Sequence, residues 1–163
     1  MDYDGLARSC WEAACAAGWC IVFAGLHLYW ALGGSVGLAS SAGHDLAVRR
    51  PTTFVLIGLY GPALVLLSSV AVLGFASTAR RSIRLRRAAT TLIGVVGIGL
   101  LLRGVVLEVL LGWNVGGLAK QVGPLETHWS LILWNPWFTL GGALFVATAI
   151  RLRREGTYAR PSP

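Results

Sequence analysis

Four apolar runs, each of about 20 residues, restrict the fold of this chain more than any other feature. They predict spans at about residues 13–33, 53–76, 90–111 and 131–150. At a rise of ~1.5 Å per residue, a helix of this length crosses a hydrocarbon core of ~30 Å. The composition agrees, since 55% of the 163 residues are hydrophobic and the mean hydropathy is +0.66. We therefore predict an all-α integral membrane protein, a bundle of four transmembrane helices.

The positive charges predict how the bundle is oriented. The formal net charge is +7, and two arginine clusters border the runs, which argues against a nucleic-acid partner. The clusters comprise Arg80, Arg81, Arg84, Arg86, Arg87, Arg151, Arg153, Arg154 and Arg160. Because an even number of spans places both clusters on one side, the positive-inside rule puts both termini in the cytoplasm. We expect a multi-pass plasma-membrane protein whose clusters fix orientation or also contact anionic membrane lipids.

The organisation of the chain predicts one domain over residues 1–163, with a flexible polar tail at 151–163. The connections at about residues 33–52 and 112–129 are long for a helix bundle, and function tends to lie in such connections. Cys10, Cys15 and Cys20 follow no metal or redox spacing, so we expect them to be packing residues. The sequence carries no prediction of oligomeric state.

Glycine and proline mark expected contacts between helices. Glycines inside the third and fourth runs offer small surfaces on which helices approach closely in lipid. These are Gly94, Gly97, Gly99, Gly104, Gly141 and Gly142. Pro62 interrupts the second run and is expected to leave a carbonyl near Tyr60 without its usual donor.

Polar side chains from all four runs are expected at one depth, ~6–14 Å from the outer membrane surface at ~1.5 Å per residue. They are His27, Tyr60, Arg103, Glu108, Asn135 and Trp137. An ionisable group within a span costs at least ~2.5 kcal/mol, so it usually faces the bundle interior. Arg103 and Glu108 lie about 140° apart around an ideal helix, so Arg103 either reaches Glu108 or pairs with another span. The sequence thus predicts a polar pocket in the outer half of the bundle.

Tryptophans are concentrated at the same depth and give the expected pocket aromatic walls. The predicted substrate-binding residues are Trp30, Tyr60, Arg103, Trp113, Asn114, Trp134 and Trp137. An interfacial aromatic belt without a site is the alternative interpretation of the tryptophans. His27 is either a hydrogen-bonded packing residue or a site residue near Glu108. No His or Glu spacing matches a metal motif, so neither a metal nor a cofactor is predicted.

Two segments carry a resemblance to a known family. The sequences HLYWALGG (His27 to Gly34) and WNPWFTLGGALF (Trp134 to Phe145) together resemble the signature of small bacterial four-helix membrane proteins of unknown function. The first segment ends span one and the second opens span four. In size, helix count, buried acid and tryptophan content the chain is also similar to small actinobacterial membrane-bound terpene cyclases. That resemblance implies ring closure of an isoprenoid.

Two functional hypotheses follow. In the first, the chain is an enzyme that starts cyclisation or isomerisation of an isoprenoid by protonation, which needs a protonated acid in a water-poor pocket. Glu108 is the candidate acid, and His27 or Asn135 would orient it or take the final proton. A salt bridge from Arg103 would oppose this role by keeping Glu108 ionised. In the second hypothesis, the chain is a non-catalytic protein that binds lipid or supports a larger complex.

Overall fold

The computed structural model describes residues 3–78 and 83–158, and their side chains over residues 11–76 and 83–155. These residues fold into helices, with no strand in the described ranges. Four helical stretches are long and apolar enough to cross a membrane: Trp11–Ala31, Phe54–Ala76, Ile83–Gly112 and Pro124–Glu155. The predicted all-α fold with four apolar helices is therefore confirmed. Arg80, Arg81, Arg160 and the side chain of Cys10 lie outside the described residues.

The chain forms two consecutive helical hairpins. In the first hairpin, α1 (Tyr3–Ala31) is joined through the short helices α2 (Leu38–Ala42) and α3 (His44–Arg49) to a π-helical segment (Phe54–Tyr60) that continues into α4 (Gly61–Thr78). In the second, α5 (Ile83–Gly112) is followed by a 3₁₀ turn (Val115–Gly117), α6 (Leu118–Val122) and α7 (Pro124–Trp129). A second π-helical segment (Ser130–Trp134) then continues into α8 (Asn135–Tyr158). We call the end of the bundle with α2, α3, α6 and α7 the loop end, and the opposite end the basic end.

The two hairpins are copies of one pattern, which we did not anticipate from the sequence. Both connections contain Gly-Leu-Ala-x-x-x-Gly, at Gly37–Gly43 and Gly117–Gly123. The first glycines share a left-handed conformation, with φ 78° and 74°, and the last glycines have φ 89° and 103° with ψ 153° and 156°. Since positive φ favours glycine, the repeated glycines explain why both connections turn alike. Helix α1 of the first hairpin is thus equivalent to α5 of the second, and α4 is equivalent to α8.

Each π-helical segment ends two residues before a proline. The backbone N–H of Gly61 bonds the carbonyl of Leu56, and that of Asn135 bonds Ser130, both five residues back. Pro62 and Pro136 follow, and a proline ring inside a helix clashes with the carbonyl four residues earlier and donates no hydrogen bond. The widened turn accommodates this clash. The break predicted at Pro62 is therefore a π-helical turn, and Pro136 has the same effect in the second hairpin.

Glycines allow α8 to approach its neighbours closely. A Cβ on Gly142 would lie 2.6 Å from the backbone nitrogen of Leu101, and one on Gly97 would lie 2.8 Å from that of Val146. Gly141, on the other side of α8, lies under the ring of Trp19 in α1. The predicted small surfaces are thus used, except at Gly99, where nothing lies within 4 Å of an added Cβ.

Helix α8 continues through residues predicted to form a flexible tail. Residues 151–158 are helical, and Arg151 forms ion pairs with Glu155 at 3.6 Å and with Glu12 of α1 at 2.7 Å. A pair spaced i, i+4 supports a helix, and the bond to Glu12 attaches this turn to α1. These contacts explain why the polar composition does not end the helix at the apolar boundary.

Candidate functional site

Asn135 connects Arg103 and Glu108, the two ionisable residues in the loop-end half of α5. Its side-chain Nδ2 donates a hydrogen bond of 3.1 Å to Glu108 Oε2, and its Oδ1 accepts a long one of 3.4 Å from Arg103 Nη1. Asn135 is 1% exposed. The described residues include no direct ion pair between Arg103 and Glu108. Of the two arrangements that the sequence left open, the structure therefore has Arg103 paired with another span, with a neutral amide between the two charges.

Local backbone features place Asn135 where it can bridge. Asn135 is the first residue of α8, directly after the π-helical turn that Pro136 requires. Gly104 lies opposite, and a Cβ there would be 2.8 Å from the Asn135 carbonyl oxygen and 2.9 Å from Thr139 N. Because Gly104 has no side chain, α8 approaches α5 closely enough for the Asn135 amide to reach both charged groups.

Glu108 borders a groove on the side of the bundle. The groove, between α5 and α8, has a volume of about 530 Å³ and is open laterally. It is lined by Val105, Glu108, Val109, Pro136, Thr139 and Leu140. We call it the Glu108 groove. Its lining is apolar apart from the Glu108 carboxylate and the Thr139 hydroxyl, which itself donates to the Asn135 carbonyl at 2.9 Å.

Arg103 occupies a position next to an aromatic ring rather than an acid. Its guanidinium carbon lies 3.7 Å from the centroid of Phe138. A cation over an aromatic face is attracted by about 0.5–2 kcal/mol, more when it is removed from water. This contact holds the charge against α8 and leaves the Glu108 carboxylate with the Asn135 amide as its recorded partner.

His27 belongs to a different cluster, between α1 and α8. Its Nδ1 donates to the Phe23 carbonyl at 2.9 Å, because a carbonyl only accepts. The imidazole lies edge-on to Phe23 and Trp30, with centroids 4.5 and 5.3 Å away. His27 thus makes the contacts of the packing alternative, and it does not line the Glu108 groove.

Most of the predicted aromatic walls also belong to this α1–α8 cluster. Trp30 is 1% exposed and lies against Trp134, with centroids 5.8 Å apart. Trp137 stacks on Trp19 at 5.7 Å. The indole N–H of Trp137 is buried and has no hydrogen-bond partner among the described residues. Trp30, Trp134 and Trp137 therefore do not line the Glu108 groove. Phe138 contacts both sides, since its ring lies 5.4 Å from that of Phe23 and under the guanidinium of Arg103.

The remaining predicted site residues lie at the loop end. Trp113 is 81% exposed and Tyr60 is 38% exposed, as expected of interfacial aromatic residues. Asn114 adopts a left-handed conformation with φ 49°, and its Oδ1 accepts a hydrogen bond of 3.1 Å from the N–H of Ala119. Asn114 therefore shapes the turn after α5, and none of these three residues lines the Glu108 groove.

Sequence reasoning missed Arg50, which holds the loop end of α1. Its guanidinium donates to the carbonyl of Trp30 at 2.9 Å and to the carbonyl of Gly34. The Trp30 indole donates to Val36 at 2.8 Å, and the Trp134 indole donates to Ser40 at 3.1 Å, so two tryptophans of the α1–α8 cluster also bind this connection. Positive charge near a helix C-terminus is favourable, which is the signal that could have identified Arg50.

Comparison of the two hairpins shows which residues both copies share and which polar residues occur only in the second. With the repeated loops aligned, Arg103 and Glu108 correspond to Phe23 and Leu28. The prolines align Asn135 with Gly61. The first hairpin forms the same architecture without any of the three polar groups. The Arg103, Asn135 and Glu108 group is therefore not required to build a hairpin of this kind.

Comparison with known proteins gives a family but no activity. Residues 20–145 match the model of a family described as a protein of unknown function. No curated protein and no solved structure matches the chain. The match includes all of HLYWALGG and ends at the last residue of WNPWFTLGGALF, the two segments on which the resemblance rested. A glycine in each segment has a packing role: Gly34 lies against the Tyr29 ring, and Gly141 against Trp19.

Proposed function

We propose a function for this chain, which belongs to the DUF3995 family of proteins of unknown function: it binds an amphiphilic lipid-like molecule, such as an isoprenoid alcohol, in the Glu108 groove. The proposal assumes a plasma-membrane protein with both termini in the cytoplasm. Support comes from the described arginines at the basic end, which are Arg84, Arg86, Arg87, Arg151, Arg153 and Arg154. The loop end then faces outward. Glu108 lies four residues before the end of α5, which corresponds to ~6 Å at ~1.5 Å per residue.

The position of the Glu108 carboxylate carries the proposal. An ionisable group beside lipid costs at least ~2.5 kcal/mol, and the Asn135 amide bonds the Oε2 atom. A ligand that donates a hydrogen bond to Oε1 would offset more of this cost. An alcohol or another neutral donor fits a carboxylate, whereas the negative charge of a phosphate would be repelled by it. The apolar lining residues Val105, Val109 and Leu140 suit a hydrocarbon chain.

The binding experiment uses the purified full chain in lipid nanodiscs and a C20 isoprenoid alcohol as the probe. We expect Glu108→Gln to weaken binding about tenfold, since a hydrogen bond to a charged group exceeds one to a neutral group by roughly 1.4 kcal/mol. Glu126→Gln makes the same chemical change in α7, outside the groove, and should bind as the unchanged protein does. Equal affinity of the unchanged protein and the Glu108 variant would refute this function.

A second candidate is the protonation-initiated cyclase or isomerase. It is favoured because, among the described residues, the Glu108 carboxyl bonds a neutral amide and no guanidinium, and a guanidinium partner would oppose donation of a proton. Glu108 would transfer its proton to an alkene carbon or an epoxide oxygen, a carbon–carbon bond would close onto the resulting cation, and loss of a proton elsewhere would leave an isomer of the substrate. Asn135 would position the acid. His27 bonds Phe23 and does not line the Glu108 groove, so the groove lacks this predicted proton-transfer group, which argues for lipid binding over this chemistry.

Product analysis separates the two candidates. The nanodisc protein is incubated with a C20 isoprenoid epoxide, and the products are examined by chromatography and mass spectrometry. A cyclised isomer of unchanged mass that depends on Glu108 supports the enzyme. Retained binding of the alcohol without any isomer supports the non-catalytic lipid-binding protein.

A further inference from the structure

The basic end contains a second cavity between α5 and α8. It has a volume of about 330 Å³. Its lining consists of Ile83, Arg86, Arg87, Thr90, Thr91, Leu152 and Arg153. Three arginines and two threonines thus face one space, and none of the described lining residues is acidic. We call it the arginine cavity.

The backbone of the bundle positions one of these arginines. Arg86 donates from Nη2 to the carbonyl of Leu152 at 3.2 Å, which ties its guanidinium to α8. The hydroxyl of Thr90, which is buried, donates to the carbonyl of Arg86 at 2.9 Å. A guanidinium has five N–H donors, so Arg86 keeps several for another acceptor. The cavity therefore has a preformed donor on its wall.

The acidic residues of this end whose side chains the structure describes, Glu12 and Glu155, form their ion pairs outside the cavity. Glu12 and Glu155 both bond to Arg151, which lies at the contact between α8 and α1. Neither glutamate lines the arginine cavity. The lining of the arginine cavity therefore contains three positively charged side chains and no carboxylate.

We propose that the arginine cavity binds the phosphate group of an anionic phospholipid. Guanidinium groups match phosphate oxygens with paired hydrogen bonds, and the Thr91 hydroxyl adds a further donor. The cavity lies where the apolar run of α5 begins, at Thr90 and Thr91, which is the depth of lipid phosphates. Basic pockets between helices at this depth are a recognised means of binding lipid headgroups. A lipid source is therefore favoured over a soluble phosphate compound.

This site is independent of the proposed function. Thr90 and Glu108 are 18 residues apart on α5, which corresponds to ~27 Å at ~1.5 Å per residue. The two proposed sites also differ in the head group they bind, which is a phosphate at the basic end and a neutral hydrogen-bond donor at the Glu108 groove. A failure at one site therefore leaves the other unaffected.

The experiment measures retention of lipid by the intact chain. Protein is equilibrated with mixed micelles containing equal amounts of phosphatidylglycerol and phosphatidylcholine, and bound lipids are counted by native mass spectrometry. The Arg86→Gln/Arg87→Gln variant removes two charges from the cavity. The matched control, Arg84→Gln/Arg154→Gln, removes two charges at the same end from residues that do not line it.

We expect the unchanged protein and the control to retain phosphatidylglycerol preferentially and the cavity variant to bind it about tenfold more weakly. An equal loss in both variants would show only diffuse attraction to a basic surface and would overturn the proposal. Retention of phosphatidylcholine equal to that of phosphatidylglycerol would overturn it as well. An excess of inorganic phosphate should not displace the lipid, and full displacement would indicate a soluble ligand instead.

Discussion

The Asn135 amide donates a 3.1 Å hydrogen bond to the carboxylate of Glu108 across the contact between α5 and α8. The other end of the same amide accepts from Arg103, so one neutral side chain serves two charged ones. In lipid, where water does not satisfy polar groups, such a bridge fixes the register of two helices. It also leaves the carboxylate facing an apolar groove without direct neutralisation.

This bridge predicts an energetic coupling between Asn135 and Glu108. In a double-mutant cycle of Asn135→Ala and Glu108→Ala we expect a coupling of ~0.6–1.7 kcal/mol, the range for hydrogen bonds between membrane helices. The free energy of unfolding in mixed micelles with sodium dodecyl sulfate provides the measurement. A control cycle of Glu108→Ala with Ser69→Ala, whose hydroxyl bonds Val65 within α4, should be additive. Additivity in both cycles would contradict the bridge.

Gly104 predicts a steric limit at the same contact. Gly104→Ala places a Cβ 2.8 Å from the Asn135 carbonyl oxygen, so α5 and α8 must separate. We expect a loss of ~1–3 kcal/mol in the free energy of unfolding, the usual cost of overpacking. Gly99→Ala, where nothing lies within 4 Å of the new Cβ, should be neutral or stabilising because alanine favours a helix. A reversed order of the two variants would rule out this packing.

The hydrogen bonds of the Arg50 guanidinium predict that the shape of this side chain, and not only its charge, stabilises the protein. Arg50→Lys keeps the charge but loses the paired contact with the carbonyls of Trp30 and Gly34, so we expect a loss of ~1–2 kcal/mol in stability. The neighbouring Arg49→Lys should change stability by less than ~0.5 kcal/mol, because Arg49 is exposed and lies 4.0 Å from Asp45. Thermal unfolding in detergent and protease cleavage in the connection after α1 report the difference. Equal stability of the two variants would remove Arg50 from this role.

The positive-inside proposal predicts the behaviour of fusions. Green fluorescent protein after Pro163 should fluoresce and alkaline phosphatase at the same point should be inactive, since both termini are placed in the cytoplasm. Fusion of the phosphatase after Gly116, between α5 and α6, should give activity. The opposite pair of results would show that the bundle has the inverted orientation, with the Glu108 groove near the cytoplasmic surface.

The internal repeat was present in the sequence and was missed. The motif Gly-Leu-Ala-x-x-x-Gly occurs twice, 80 residues apart, beginning at Gly37 and at Gly117. Each copy of the motif is short and lies in a connection between apolar runs. Repeats of this kind emerge when the glycine positions are compared directly. The structure made the repeat plain because the equivalent glycines have the same backbone conformation.

The sequence alone determined the four apolar helices, the asymmetric distribution of arginine and the glycine surfaces at Gly97, Gly104 and Gly142. The length of an apolar run and the positions of small residues are local properties of the chain, so the amino-acid sequence is enough to identify them. Only the tertiary structure decided which polar groups meet. Residues at equal depth on four helices can face in any direction, and that rotation placed His27 with the aromatic rings and Asn135 between Arg103 and Glu108. Depth follows from counting along a helix, whereas partnership depends on how each helix is turned against its neighbours.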